Sequence, residues 1–273
     1  MAHVIDYLHP GPLTGVDAAH AWVLQELPAE PVEICAVAQA LVVRPEEARA
    51  LGLPEHRIEE RNIRPARSLI AVLAQLYPER LHRPRPPAAR VVGPSRHAAV
   101  LACTLMRARG YPSRVRAGFV ARGGHLTGED LWITEHWAGP EQRWIRTLPQ
   151  LPGDGGSARE PAPVEFLSGG EAWQRYRAGG LTRMPHKGTG TERSWGPVEI
   201  SCTTVRDLAA LCQVEMLPED VWGRMAQVHE GRMPAAYDNL IDVTAAVCAR
   251  GDAADLARLF STGELAVPHH MRG

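Results

Sequence analysis

Apolar residues recur at spacings of three and four in several stretches of the chain, as in helices that place one face on a core. One such stretch begins at Ser95, whose side chain has N-cap chemistry, and ends at Gly110. Further helices are predicted over Val16–Leu27, Val32–Leu41, Ala66–Leu76, Thr204–Cys212, Glu219–His229 and Tyr237–Leu259.

Three segments between the helical regions have the β-branched and aromatic content of short strands. They are Ser113–Ala121, Leu131–Trp137 and Arg143–Thr147. Because loops join them, an antiparallel sheet is the simplest arrangement, and the fold class is α+β. The Gly-rich residues 152–160 and 179–197 show little periodicity, so we predict loops there.

The chain has 273 residues, of which 45% are hydrophobic and 22% are charged, so it can bury a full core. We expect a single domain with a helical N-terminal part over 1–90, a core over 91–151, and a loop-rich and helical C-terminal extension over 152–273. Of the thirty basic residues only Lys187 is lysine, which suggests a bacterial genome of high GC content.

The balance of charge argues against two classes of partner. The formal net charge is −1, which gives no overall field for binding nucleic acid or an anionic membrane surface. No apolar run approaches the ~18–20 residues that span a bilayer, and the first twenty residues lack a basic start followed by an apolar stretch. We therefore expect a cytoplasmic protein that binds neither nucleic acid nor membrane.

The cysteines point to neither zinc nor disulfides. They are scattered without a C-x-x-C pair, so we expect small buried hydrophobic residues and free thiols. No His-x-x-x-His motif or carboxylate cluster suggests a metal, and no cofactor is expected. The five are Cys35, Cys103, Cys202, Cys212 and Cys248.

Three neighbouring segments carry a more specific signal: Gly93–Arg114, Glu129–Trp137 and Arg143–Leu151. They resemble the nucleophile helix and the two following strands of the transglutaminase-like superfamily, whose members have a papain-like fold. Phe166–Gly179 and Val205–Pro218 are also similar to a bacterial, stand-alone subgroup of that superfamily. The resemblance implies a helix packed on a small antiparallel sheet, with helical extensions at both ends.

The resemblance also implies a catalytic Cys, His and Asp, and the chain departs from this pattern at all three positions. The family Cys falls on Ser95, the His on Leu131 and the Asp on Thr147. A serine hydroxyl needs a base within hydrogen-bond reach, and a leucine side chain has no atom that accepts a proton. We therefore do not expect thiol-dependent transglutaminase, protease or amidase chemistry.

Other polar residues near these positions are candidates for acid–base chemistry: Glu135, His136 and His125. Each has a structural alternative. Glu135 also fits an ion pair with an arginine such as Arg114, Arg116 or Arg146. His136 is either a surface residue or a displaced base, and His125 is either a bystander or a base.

Candidate substrate-binding residues surround the same positions. Arg96 with the free helix amides would hold an anion, or else it closes a salt bridge. Trp132 and Trp137 would form pocket walls. The other candidates are His97 and Asp130.

Two functions remain open from the sequence. In the first, a repurposed enzyme acts without a cofactor on a small-molecule or carrier-bound acyl or amide intermediate, as the resemblance to relatives in bacterial natural-product biosynthesis implies. In the second, a catalytically inert pseudoenzyme uses the cleft to bind a peptide, a metabolite or a partner protein. Replacing the family His by Leu131 makes such a cleft more apolar, which favours binding. The sequence gives no indication of the oligomeric state.

Overall fold

The computed structural model describes residues 5–122, 125–147, 165–181, 196–229 and 235–272. It is a mixture of helices and a small antiparallel sheet, which confirms the α+β class. The helices are α1 (Pro31–Ala40), α2 (Pro45–Ala50), α3 (Ala66–Leu76), α4 (Ser95–Ala108), α5 (Gly169–Arg177), α6 (Pro197–Leu211), α7 (Met225–His229), α8 (Ala235–Arg250) and α9 (Ala253–Phe260). The strands are β1 (Val42–Val43), β2 (Val91–Val92), β3 (Ser113–Arg122), β4 (His125–Ala138), β5 (Arg143–Thr147) and β6 (Phe166–Ser168).

Several predicted helices are confirmed, and others change their extent. The periodic segments over 32–41, 66–76 and 95–109 form α1, α3 and α4. The stretch predicted over 16–27 is instead a 3₁₀ helix at Ala18–Leu24. The last predicted helix is divided into α8 and α9, because Gly251 has a φ of +69° and Asp252 caps the new N-terminus.

Other elements differ from the prediction or lie outside the described residues. Within the predicted helix over 219–229 only α7 is helical. The elements α2, β1, β2, α5 and β6 were not predicted from the sequence. Strands of two or three residues, such as β1, β2 and β6, leave almost no pattern. The predicted loop over 152–160 lies outside the described residues, as do residues 182–195 of the second predicted loop.

By its internal contacts the chain forms two compact units, where the sequence favours one domain. The first comprises residues 1–5, 116–132 and 161–272, and the second comprises residues 6–115, 133–160 and 273. Each is described separately below.

In the second unit, the core surrounds α4. This helix packs against α1 and α3, and its residues from Ala99 to Arg107 are all buried. The apolar contacts come from Ile34 of α1 and Leu69 of α3, among others. Complete burial of such a side chain stabilises the fold by about 1.5–3 kcal/mol. Cys35 belongs to this core and Cys103 of α4 is buried, as predicted, and none of the five cysteines forms a disulfide.

In the first unit, α6 is the central helix and packs against α5 and α8. The approach of α5 requires glycine, because a Cβ on Gly169 would lie 2.5 Å from the backbone nitrogen of Thr204. A buried ion pair joins α6 to β3. Arg116 Nε donates to Asp207 Oδ1 at 2.9 Å and Arg116 Nη2 to Asp207 Oδ2 at 2.7 Å, while the Ala117 amide also donates to Asp207 Oδ1.

The four-stranded sheet has the order β5-β4-β3-β6, and a separate parallel pair joins β1 to β2. Strands β4 and β5 are antiparallel, with Thr134 opposite Thr147, Glu135 opposite Arg146, and Trp137 opposite Trp144. Since residues opposite each other share a face of the sheet, this register decides which side chains meet.

Two kinds of feature are absent from the described residues. None of the helices found there has the length and apolar character needed to cross a lipid bilayer. Within the same ranges, no three His, Cys, Asp or Glu side chains come close enough together to hold a metal ion.

The start of α4 provides a test of this packing. A Cβ on Gly93 would lie 2.3 Å from Cδ2 of the buried His97 ring, which has no room to move away. We expect Gly93→Ala to lower the free energy of unfolding by about 1–3 kcal/mol, measured by urea denaturation, as for other overpacked sites. Gly15→Ala is the control, since its Cβ would meet nothing within 4 Å. Equal stability of the two variants would contradict the packing described.

Candidate functional site

Glu135 forms a clamp that joins three neighbouring strands of the second unit. Arg114 of β3 donates from Nε to Glu135 Oε2 at 2.6 Å, and Arg146 of β5 donates from Nε to Glu135 Oε1 at 3.0 Å. The Glu135 side chain is 3% exposed, Arg114 is 6% exposed and Arg146 is 24% exposed. We call Arg114, Glu135 and Arg146 the arginine clamp. It confirms the structural alternative that the sequence offered for Glu135.

An aromatic cluster lies beside the arginine clamp. The Trp137 and Trp144 rings meet edge to face with their centroids 5.6 Å apart. The guanidinium carbon of Arg114 lies 4.0 Å from the centroid of Trp144, in cation–π contact. Tyr7 packs against Trp144 at 5.2 Å and lies 5.7 Å from the same guanidinium carbon. Trp137 and Trp144 are only half-buried, so this cluster reaches the surface.

One donor of the clamp is unused. Arg114 Nη1 is buried and has no hydrogen-bond partner in the described part of the chain. Leaving a buried donor unsatisfied costs about 1–3 kcal/mol, and more for a charged group. An anionic oxygen at this position would satisfy the donor, with the faces of Trp144 and Trp137 beside it.

The N-terminus of α4 differs from the predicted anion site. Pro94 occupies the N-cap position, and Ser95 is the first residue of the helix and half-buried. Arg96 is completely buried and donates from Nη1 to the carbonyl oxygen of Ile63 at 3.3 Å. The side chain is therefore engaged in the core, and substrate binding by Arg96 stays a prediction.

His97 is likewise a core residue. Its Nε2 donates to the carbonyl oxygen of Glu60 at 3.0 Å, and its ring packs against Gly93. Burial, with the nearby charge of Arg96, lowers the pKa of His97 from 6.5 to about 3. The neutral ring is therefore enclosed, and substrate binding by His97 stays a prediction.

Thr147, the position given above for the family aspartate, also lies in the core. Its register partner Thr134 donates from Oγ1 to the carbonyl oxygen of Ala99 in α4 at 3.0 Å. Thr147 lies beside the Cys35 thiol, and burial raises the pKa of that thiol to about 12. The motif that the segment resembles, counted from Arg143, sets the aspartate at Leu148, which lies outside the described residues.

The remaining predicted residues belong to different units. In the second unit, His136 is buried and meets Tyr111 edge to face at 6.3 Å, so it is not a surface residue. In the first unit, Leu131 and Trp132 are buried. There too, His125 is exposed and Asp130 is half-buried. Convergence of Ser95 with Leu131 stays a prediction.

Sequence reasoning underestimated Arg114, Arg146 and Trp144. The signal was available in the hairpin, because Glu135 and Arg146 are equally far from the turn at residues 139–142, as are Trp137 and Trp144. Such symmetry predicts cross-strand pairs. Arg114 of the third strand was already among the arginines that the sequence offers as partners of Glu135, but no signal in the sequence identified the part played by Tyr7.

Comparison with known proteins adds no relationship. No protein-family model matches the chain, and neither the curated proteins nor the solved structures contain a significant match.

The buried His97 ring makes a specific prediction about pH. The unfolded chain protonates His97 near pH 6.5, whereas the folded protein keeps it neutral down to about pH 3. This residue therefore stabilises the fold fully above pH 6.5 and loses about 1.4 kcal/mol of that stabilisation for each pH unit below it. We expect the stability difference between the wild type and His97→Gln to shrink by about this slope between pH 6 and 4, measured by urea unfolding.

His9→Gln is the matched control, because the His9 side chain is 74% exposed and lies outside the core. Its stability difference from the wild type should change much less over the same range. If His97→Gln and the wild type keep a constant difference from pH 6 to 4, the enclosure of His97 is incorrect.

Proposed function

We propose that this is a transglutaminase-like protein without thiol chemistry, and that it binds a small molecule or carrier-bound group bearing a carboxylate, non-covalently, at the arginine clamp. The observation that carries this proposal is the buried, unpartnered Nη1 of Arg114. The resemblance of the α4–β5 segment to the superfamily supports the ancestry, and the order of α4 and the antiparallel strands agrees with it.

The states of the titratable groups favour binding over catalysis. Glu135 is held by two guanidinium groups, so protonating it would leave buried positive charge uncompensated. His97 stays neutral inside the core, and its Nε2 proton is used by Glu60. Burial raises the pKa of both Cys35 and Cys212 to about 12, which keeps these thiols protonated and unreactive near neutral pH.

The aromatic cluster adds to the binding argument. A carboxylate attached to a planar or apolar group would place its oxygen at Arg114 Nη1 and its body against Trp144 and Trp137. Arginine suits this role because its planar fork engages a carboxylate with two donors and stacks on an aromatic face at the same time. Arg146, one quarter exposed, lies on the other oxygen of Glu135 and adds a second cation to the same surface.

The repurposed-enzyme hypothesis keeps one group in its favour. His125 at the start of β4 is exposed, so it remains accessible as a proton carrier. Neither Glu135 nor His97 supports this second candidate.

Benzoate and benzamide, which share shape but differ in charge, test the proposed site. We expect saturable binding of benzoate by isothermal titration calorimetry, with benzamide at least tenfold weaker, because only the carboxylate satisfies Arg114 Nη1. Arg114→Lys keeps the positive charge beside Glu135 but removes the fork, so benzoate affinity should fall at least tenfold. Arg67→Lys, at an exposed position on α3, should bind as the wild type does.

Circular dichroism establishes whether Arg114→Lys is folded. If it is not, the comparison of benzoate with benzamide on the wild-type protein still decides. Absence of saturable benzoate binding, equal affinity for both probes, or unchanged affinity in a folded Arg114→Lys would each overturn the proposal.

A further inference from the structure

A second polar cluster lies in the first unit, along one face of α6. Glu199, Thr203 and Arg206 are spaced by four and three residues and so point to the same side of the helix. Arg206 Nη1 donates to Glu199 Oε1 at 2.8 Å, and Arg206 Nε donates to the carbonyl oxygen of Asp220 at 3.3 Å. Thr203 Oγ1 donates to Glu199 Oε1 at 3.4 Å.

The ion pair between Arg206 and Glu199 is almost entirely buried, yet each side chain has one polar atom without a hydrogen bond. The side chains of Arg206 and Glu199 are 2% and 7% exposed. Arg206 Nη2 and Glu199 Oε2, the second donor and the second acceptor of the fork, have no hydrogen-bond partner among the described residues. Two buried charged groups each lacking one partner are costly, so the arrangement calls for a further group that satisfies both.

The surroundings of the pair are polar on two more sides. Burial lowers the pKa of Arg206, but the carboxylates of Glu199 and Asp130 outweigh it and hold that pKa above its ordinary value. Asp130 is half-buried, so the polar cluster extends from Arg206 towards the surface. Tyr237 of α8 lies close to Ser201 and Arg206, and burial is the main cause that raises the pKa of its hydroxyl. The phenol therefore remains a neutral donor or acceptor.

We infer that the Glu199–Arg206 pair is a binding site for a neutral carboxamide, whose oxygen accepts from Arg206 Nη2 and whose N–H donates to Glu199 Oε2. A carboxylate would gain the Arg206 contact but meet the negative charge of Glu199. An ammonium ion would gain Glu199 but meet the positive charge of Arg206. Only a group that is uncharged and carries an acceptor beside a donor matches both free atoms, as a primary amide does.

This inference is independent of the proposed function, because no residue of the arginine clamp takes part in it. The ligands also differ: a carboxylate at the clamp and a carboxamide at α6. A readout confined to Arg206 therefore separates the two.

The test follows the side-chain Nε–Hε signal of Arg206 by ¹⁵N NMR while the native protein is titrated with propionamide, propionate or propylammonium. These probes share a three-carbon skeleton and differ in charge and hydrogen-bonding groups. We expect propionamide to shift the Arg206 signal saturably, and the two charged probes to bind at this signal at least tenfold more weakly.

The variant Glu199→Gln tests the role of the Glu199 charge in the choice between propionamide and propionate. The amide of the new side chain removes the negative charge that repels a carboxylate and can donate to it, so the preference should reverse from propionamide to propionate. Asp255→Asn makes the same change of charge at a surface ion pair of α9 and should keep the wild-type preference. Removing one partner of a buried pair is destabilising, and if Glu199→Gln does not fold, the three-probe comparison on the wild type still decides.

Three results would overturn the inference. The first is an Arg206 signal that no probe shifts. The second is an equal response to propionamide and propionate. The third is a folded Glu199→Gln that still prefers propionamide.

Discussion

One carboxylate, Glu135, holds guanidinium groups from the strand on either side of it, and the chemistry of the second unit depends on that arrangement. Removing one partner of a buried ion pair typically costs about 3–5 kcal/mol, because the remaining charge stays in the interior. A carboxylate under that constraint is fixed in its ionised form and in one orientation. Proton transfer in catalysis needs the opposite properties, a group that changes its protonation readily within reach of a substrate.

The same constraint divides the two faces of the hairpin. Glu135 and Trp137 lie with Arg146 and Trp144 on the face of the arginine clamp. Thr134 and Thr147 lie on the other face, where Thr134 contacts α4 and Thr147 contacts Cys35. The face that holds the free donor of Arg114 is the aromatic one. Because the register of β4 and β5 places the unsatisfied donor of Arg114 on the aromatic face, we propose non-covalent binding there.

The sequence predicts the parts of the fold that follow from local periodicity. The helices α1, α3 and α4 and the antiparallel strands could be predicted because their apolar spacing or strand content is clear over several residues. The two-residue strands β1 and β2 could not, since their pairing depends on contacts distant in sequence. The ion pair of Glu135 was predicted as an alternative because a carboxylate in a strand among arginines has few other stable states.

The differences between the site expected from the sequence and the observed burial of its residues have one physical origin. A position in a motif does not say which face of a strand or which side of a helix start a side chain takes, and a shift of one residue reverses the face. The sequence offers Arg96 and His97 as substrate-binding candidates, but the structure places both on the buried side of α4. The half-used pair of Glu199 and Arg206 left no trace in the sequence, because unsatisfied atoms are a property of tertiary packing.

A double-mutant cycle between Glu135 and Arg114 measures directly how strongly this carboxylate is held by its neighbouring guanidinium group. Urea unfolding of the wild type, Glu135→Gln, Arg114→Gln and the double variant gives the coupling energy of the two side chains. We expect a coupling energy between Glu135 and Arg114 of at least about 1.5 kcal/mol, as for close pairs of desolvated charges. The surface pair of Asp255 and Arg258 should give less than about 1 kcal/mol. If the coupling energy between Glu135 and Arg114 is no larger than that of the surface pair, Glu135 is not held by a buried ion pair with Arg114.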